Sequence, residues 1–344
     1  MHKVSGLSWR DLDQGKSMFY LGIDVSKLKL DCMLLFPETD KRKSKVVPNT
    51  SAGIKTLVAW CAKQGAAVEQ IHGLMEATGP YHEQAATQLF DAGMGVSILN
   101  PAQVHDFAKA LAVRSKTDAL DSLVLARYGA VLKPALWQPP PAHVRELRAL
   151  LSQLDALTKD RARVANRQEK IQASGAPLLV ESSVENTLDF YLVEIQRLEK
   201  AINHHIDRHP DLKQDSEMLE TIPGVGTKVS RAMMTVMHTH RFSSAEALAA
   251  YLGLVPVQRQ SGTSLKGRSR LSKTGRADLR AVLYMAGIVA AQHNPHVRAL
   301  YQRLLGAGKA KMAAIGACMR KLVHLCFGVF KNKMPYCPNY ASCP

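Results

Sequence analysis

Asp118 and Asp121 stand three residues apart at the head of the run Asp118-Ala-Leu-Asp121-Ser-Leu-Val-Leu. Thr117 before them reads as an N-cap, and Leu120, Leu123, Val124 and Leu125 suit a helix with one buried face. On that helix the two acids share a side, with Cβ atoms about 5–6 Å apart. Both fall in the first turn, where the helix dipole favours negative charge, so helix-start stabilisation is one reading. Two upstream acids point further. Asp24 closes the apolar run 18–23, and Glu76 closes the run 71–75. Four carboxylates can converge only if a cation offsets their repulsion. Oxygen-only ligands suit Mg²⁺, with Mn²⁺ as the alternative. Two such ions about 3.5–4 Å apart activate an attacking oxygen and stabilise a leaving one in phosphodiester chemistry.

A second reactive set lies near the C-terminus. Residues 259–276 read Arg259-Gln-Ser261-Gly-Thr263-Ser264-Leu-Lys266-Gly-Arg268-Ser269-Arg270-Leu-Ser272-Lys273-Thr-Gly-Arg276. This stretch is rich in Gly, Ser and cations. A solvated phosphate-binding loop is the plain reading. The sharper one is a hydroxyl nucleophile among arginines, whose forks stabilise the charge gained in a phosphoryl transition state. Chemistry alone does not choose among Ser261, Thr263, Ser264, Ser269 and Ser272. Upstream, Pro223-Gly224-Val-Gly226-Thr-Lys228 looks like the hairpin of a helix-hairpin-helix element. Its glycines let backbone N–H groups approach a phosphate, and Lys228 adds charge. Arg280 follows on the exposed side of the next helix. Lys228, Arg259, Lys266, Arg268, Arg270, Lys273, Arg276 and Arg280 are the candidate nucleic-acid contacts.

The elements that must position these groups can be read in outline. Residues 18–23, 28–36 and 45–47 form a three-stranded meander. A helix from Ser51, a strand over 71–75, a helix from Pro80 through Phe90 and a strand over 96–99 follow. Helices over 102–112 and 118–132 complete the segment. This order implies a mixed sheet covered by helices, in which the first and fourth strands can be neighbours. Pro139-Pro-Pro141 marks a boundary. Heptad-spaced residues then appear, Leu147, Leu150, Leu154, Leu157, Val164 and Ile171, followed by Leu188, Ile195, Leu198, Ile202 and Ile206. They read as two long helices, either an antiparallel pair or an oligomeric coiled coil. The expected division is 1–138, an α/β catalytic domain; 139–215, a helical spacer; and 216–344, a mostly α-helical basic domain.

The 344-residue chain carries 45 Lys and Arg against 29 Asp and Glu, a formal net charge of +16. The excess is concentrated: residues 255–335 hold 15 Lys and Arg and one acid, Asp278. Such a region suits a polyanion, DNA and RNA alike. The longest apolar run, residues 281–291, is too short to span a membrane, and residues 1–17 lack the apolar core of a signal peptide. The six cysteines form no CxxC pair. They read as reduced thiols of a cytoplasmic protein without a zinc site. The tail with Cys337 and Cys343 reads as disordered.

The acidic blocks carry a resemblance. Leu-Gly-Ile-Asp24-Val-Ser-Lys, Met-Glu76-Ala-Thr-Gly-Pro-Tyr and Lys-Thr-Asp118-Ala-Leu-Asp121 resemble the three motifs of the DEDD insertion-sequence transposases, which include the Piv-type DNA invertases. Ser261-Gly-Thr-Ser264 resembles the family's S-G-[ST]-S block. The likeness runs over roughly residues 18–335 with the motifs in order. It implies a RuvC-like, ribonuclease-H-like first domain and metal-ligand roles for Asp24, Glu76, Asp118 and Asp121. It makes Ser261 the nucleophile, and the helical spacer a self-association element in a dimer or tetramer. It implies integration and excision between donor and target DNA, guided by a structured non-coding bridge RNA. The acids and Ser261 would then serve one composite reaction, with the two halves free to come from different protomers. Two other readings stand beside it: a RuvC-like nuclease or resolvase in which water attacks, and a non-catalytic nucleic-acid-binding protein.

Overall fold

A computed structural model describes residues 18–77, 79, 81–112, 117–257, 260, 261, 265, 266, 270–272 and 274–339, with the backbone alone at 260, 261, 265 and 266. The chain divides into two compact units at Pro139 and Pro140.

The first unit is built on β1 (Phe19–Val25), β2 (Lys29–Phe36), β3 (Lys41–Pro48), β4 (Ile71–Glu76) and β5 (Gly95–Leu99). The sheet order is β3-β2-β1-β4-β5. β1 pairs antiparallel with β2 and parallel with β4, so it is the central strand. The expected meander and the expected neighbouring of first and fourth strands are both present. α1 (Ser51–Lys63), α2 (Tyr81–Asp91), α3 (Pro101–Ala110) and α4 (Asp118–Leu132) cover it. Leu21, Ile23, Leu30, Leu34, Leu57, Leu74 and Met75 are fully buried around β1. Each such side chain contributes about 1.5–3 kcal/mol through burial. The β2–β3 hairpin runs out to Lys41, Arg42 and Lys43, all exposed, and charge of this kind disfavours strand addition at a sheet edge.

α4 lies across β1, β2 and β4. Two glycines permit that approach. A Cβ on Gly22 would stand 1.8 Å from the Ser122 carbonyl oxygen, and one on Gly129 would stand 2.6 Å from Leu74 Cδ2. Helix and strand backbones are therefore nearly in contact, a distance no side chain at position 22 allows.

The second unit opens with α5 (Ala142–Ser174) and α6 (Leu178–Asp207), which pack on each other. The turn between them ends α5 at Gly175, whose φ of +65° is the left-handed value glycine tolerates. The heptad residues thus form an antiparallel pair within one chain. Along most of their length the helices are exposed, with Val164 and Val184 among the buried exceptions. At their base, Val144, Leu147, Ile202 and Ile206 join the core of the C-terminal helices.

That core comprises α7 (Pro210–Glu220), α8 (Thr227–Thr239), α9 (Ala245–Tyr251), α10 (Ala277–His293), α11 (Pro295–Gly306) and α12 (Lys311–Asn332). Among the described residues α12 alone is long and apolar enough to cross a membrane, and half of that stretch is buried in the protein. Cys318, Met319, Leu322, Val323 and Cys326 are its inward face. Between α9 and α10 run two small antiparallel ribbons. β6 (Pro256–Val257) pairs with β9 (Arg270–Leu271), and β7 (Gln260–Ser261) pairs with β8 (Leu265–Lys266). A stretch that reads as loop by its Gly and Ser content is therefore ribbon in part, because pairing needs only backbone groups.

Two expectations for the thiols and the tail are corrected. Cys32, Cys61, Cys318 and Cys326 are free and buried, but Cys337 is disulfide-bonded. The tail is placed through Asn339, and Cys343 lies outside the described residues. The Tyr336 hydroxyl donates to Asn294 Oδ1 at 3.1 Å, and Tyr336 N–H donates to Thr221 Oγ1 at 2.8 Å. An aromatic anchor with two hydrogen bonds offsets the entropy a free tail would keep.

Candidate active site

Asp24 sits near the C-terminal end of β1, half-buried. In the β1–β2 register it faces Asp31. In the β1–β4 register Ile23 faces Met75, which sets Glu76 at the level of Asp24 one strand over. Asp118 and Asp121 occupy the first turn of α4. There Thr117 Oγ1 accepts from Leu120 N–H at 3.3 Å, so the helix starts where the sequence placed it.

Charge repulsion ties three of these acids into one cluster. The Asp24 carboxyl is raised above its ordinary value by burial first. Asp121, Asp118 and Asp31 raise it further, in that order, against one lowering hydrogen bond from the Val25 backbone. Neighbouring negative charges disfavour ionisation in this way when they cannot be separated by water. The acids that the sequence put far apart are therefore electrostatic neighbours. Their all-oxygen, partly buried donor set suits a hard divalent cation. Among the described residues no three acids, histidines or cysteines are arranged as a ready-made cage for an ion. The carboxylates instead repel one another around an internal ammonium.

That ammonium is Lys29. Its Nζ donates to Asp118 Oδ2 at 2.7 Å and lies 2.9 Å from Asp31 Oδ2. The two hydrogen bonds, Asp118 first, raise the Lys29 pKa above its usual value. Lys29 is held at the root of β2 by its own backbone. Its N–H donates to Ser26 Oγ at 3.1 Å, and its carbonyl accepts from Ser26 N–H at 3.0 Å. Asn49 Nδ2 in turn donates to the Ser26 carbonyl at 2.9 Å. Neither Lys29 nor Asp31 stands out by motif. The available signal was Asp31 itself, an acid between Leu30 and Cys32 in an otherwise apolar strand.

The basic candidates divide by what the structure describes. Ser261 is on β7, its Cα facing Leu265. Lys266 is on β8. Arg259, Arg268 and Lys273 lie outside the described residues. Arg270 on β9 is exposed, and Lys228 is exposed in the first turn of α8. Arg276 pairs with Asp278, its Nε donating at 3.2 Å. Arg280 Nη1 donates to the carbonyls of Gly275 at 3.0 Å and Leu252 at 3.3 Å. The hairpin between α7 and α8 turns at Gly224, with φ +99° and a Cβ position 2.7 Å from Ala290 Cβ. Gly226 caps α8 with no side chain covering it.

Residues 21–172 match the family model of DEDD-type IS110 transposases, described as Transposase, and residues 216–302 match the model described as Transposase IS116/IS110/IS902 family. The chain is 32% identical to the pilin gene-inverting protein of Moraxella bovis over 322 residues, 93% of this chain and 98% of that protein. The chain belongs to the IS110-type transposase family. The likeness extends to the transposase for insertion sequence element IS1111A of Coxiella burnetii, at 25% identity over 64% of this chain and 66% of that protein. Both transposase-family matches span candidate residues: Asp24, Glu76, Asp118 and Asp121 fall in the first, and Ser261 in the second. Membership makes this an enzyme of DNA cleavage and rejoining.

Proposed function

We propose that this transposase-family chain is a Mg²⁺-dependent DNA recombinase that uses Ser261 as nucleophile. The observation that carries the reading is the convergence of Asp24, Asp118 and Asp121 on one sheet end, with Glu76 at the same level. These four acids would hold the divalent ion, Mg²⁺ or Mn²⁺, on a RuvC-like first domain. A bound ion supplies Lewis-acid polarisation of the scissile phosphate. The Ser261 hydroxyl oxygen forms the new bond to phosphorus, the bond from phosphorus to the strand oxygen breaks, and the departing oxygen ends with the proton. One phosphate ester replaces another, so the strand can be rejoined to a new partner without an external energy source.

Donor and target DNA are the substrates, and the basic region 255–335 offers the charge to hold them. A structured non-coding bridge RNA guides the choice of site, and a homo-oligomer, dimer or tetramer, does the work. In this reading residues 1–138, 139–215 and 216–344 are catalytic, spacer and transposase parts. The enzyme works in the cytoplasm, at the nucleoid when on DNA. The Moraxella relative is named for inverting a pilin gene, and inversion is recombination between two sites, which fits the same chemistry.

Trapping with donor DNA tests the nucleophile. Wild-type protein should give a DNA–peptide adduct at Ser261 by mass spectrometry, and Ser261→Ala should bind DNA and give none. An adduct at Ser264 or Ser269 would displace the assignment. No adduct from wild type would favour a second reading, a RuvC-like nuclease using water. One observation speaks for that reading: the acid cluster is assembled entirely by elements of the first unit.

A further inference from the structure

The metal reading leaves two charged side chains unused at the acid cluster, Lys29 and Asp31. Asp31 is the better buried of the two, with 12% of its side chain exposed, against 46% for Lys29 and 56% for Asp118. Lys29 thus links a buried acid on the sheet to a solvent-facing acid on the first turn of α4. Its backbone is clamped by Ser26, and Ser26 by Asn49, which fixes where the side chain starts, and Asp31 and Asp118 hold its ammonium. The pair bridges residues 89 apart in sequence.

Resting on the metal reading above, we infer that Lys29 is the resident cation of this site and a positioning residue for Asp118. Anchored on Asp31, it holds Asp118 against the sheet and neutralises it, and a divalent ion must take Asp118 from it. Three observations support this. Lys29 bonds Asp118 at 2.7 Å, close to the short end for an ammonium–carboxylate pair. Asp118 already repels Asp24, so releasing it from Lys29 without a replacement cation costs energy. Among the described residues no three acids form a ready-made cage, as expected where one carboxylate is committed elsewhere. The consequence is a threshold: the ion concentration that fills the site is set by competition with an internal ammonium. The pair is solvent-exposed, so the competition is modest.

Direct Mn²⁺ titration tests this on full-length protein without DNA, by the free-ion EPR signal and by the ion-dependent rise in Tm. The variants are Lys29→Met, Lys29→Arg, Lys27→Met and Asp121→Ala. Lys29→Met should lower the half-saturating Mn²⁺ concentration about two- to fivefold, the range an exposed ion pair sustains. Lys29→Arg, which keeps the charge and the pairing, should stay near wild type. Lys27→Met removes a charge two residues away and should shift the midpoint less than Lys29→Met. The ion-free Tm in the same scans reports folding of every variant. Unchanged or weaker Mn²⁺ binding by Lys29→Met overturns the inference alone, provided that wild-type binding is lost in Asp121→Ala. An equal shift in Lys27→Met overturns it too, because general charge would then suffice. Wild-type binding that is absent, or indifferent to Asp121→Ala, overturns both this inference and the metal reading.

Discussion

Asp24 is carried on the central strand of a five-stranded sheet, whereas Ser261 is carried on a two-residue strand with one two-residue partner. The acids inherit their positions from register: β1 against β2 and β4, and α4 laid on β1 where Gly22 leaves room. Moving any of them means shifting a strand or lifting a helix out of a core of fully buried leucines and isoleucines. The ribbon around Ser261 is described by its backbone pairing, Gln260 with Lys266 and Ser261 with Leu265. Its base is fixed where Leu271 on β9 meets Gly316 on α12, whose Cβ position lies 3.2 Å from Leu271 Cδ1. Charge follows the same contrast, with mutually repelling acids in one region and clustered cations in the other. Groups that must hold a small ion need fixed geometry, while groups that meet a long polyanion need reach and charge.

The acids carry the largest expected effect. Asp24→Ala, Glu76→Ala, Asp118→Ala and Asp121→Ala should each reduce strand exchange in Mg²⁺ to background. DNA affinity measured by filter binding should change little, because a carboxylate is drawn to phosphate only through a cation. Any one of the four variants that recombines normally in Mg²⁺ is not a ligand, and the sheet-borne site must be redrawn without it.

The next effect is smaller and splits the cations into two kinds. Neutralising Arg268, Arg270 and Lys273 together should weaken binding to many sequences alike. It should flatten the plot of log affinity against log salt by about one unit per lost phosphate contact. Arg280→Ala should act otherwise. Its guanidinium closes the loop by bonding the Gly275 and Leu252 carbonyls, so its loss should lower stability by about 1–3 kcal/mol and leave the salt slope near wild type. A triple variant with an unchanged slope, or an Arg280→Ala variant that changes slope but not Tm, would erase the distinction.

Much of the first region was legible because its signals are local. Strand alternation, the Thr117 cap and the acids at element ends located Asp24, Glu76, Asp118 and Asp121. The order of elements then made β1 and β4 neighbours. Lys29 and Asp31 escaped because their meaning lies in pairing. A lysine beginning a strand and an acid within it become a site only once β2 faces β1 and α4 comes down over both. The small ribbons escaped for a different reason. Gly, Ser and Arg carry little strand propensity, and pairing there rests on backbone bonds over two residues. The two long helices were legible as two runs, but their packing on each other within one chain depended on the Gly175 turn.

The smallest expected effect is thermodynamic and belongs to Asp24 alone. Burial and three neighbouring acids raise its pKa in the folded protein above the ordinary 3.8. Between the ordinary and the raised value the folded state holds a proton that the unfolded state has released. Stability therefore falls as pH rises through that window and stays lower above it. Asparagine at this position fills nearly the same space and carries no charge to repel. In the presence of a chelator, Asp24→Asn should match wild type at pH well below 3.8 and melt higher at neutral pH. The gap should open across the window in which Asp24 ionises. Adding Mn²⁺ should then raise the Tm of wild type but not of Asp24→Asn, so the variant that is more stable without ions loses its lead with them. A Tm gap that is constant with pH would mean that packing rather than charge separates the two proteins. Asp24 would then owe its place in the cluster to shape alone.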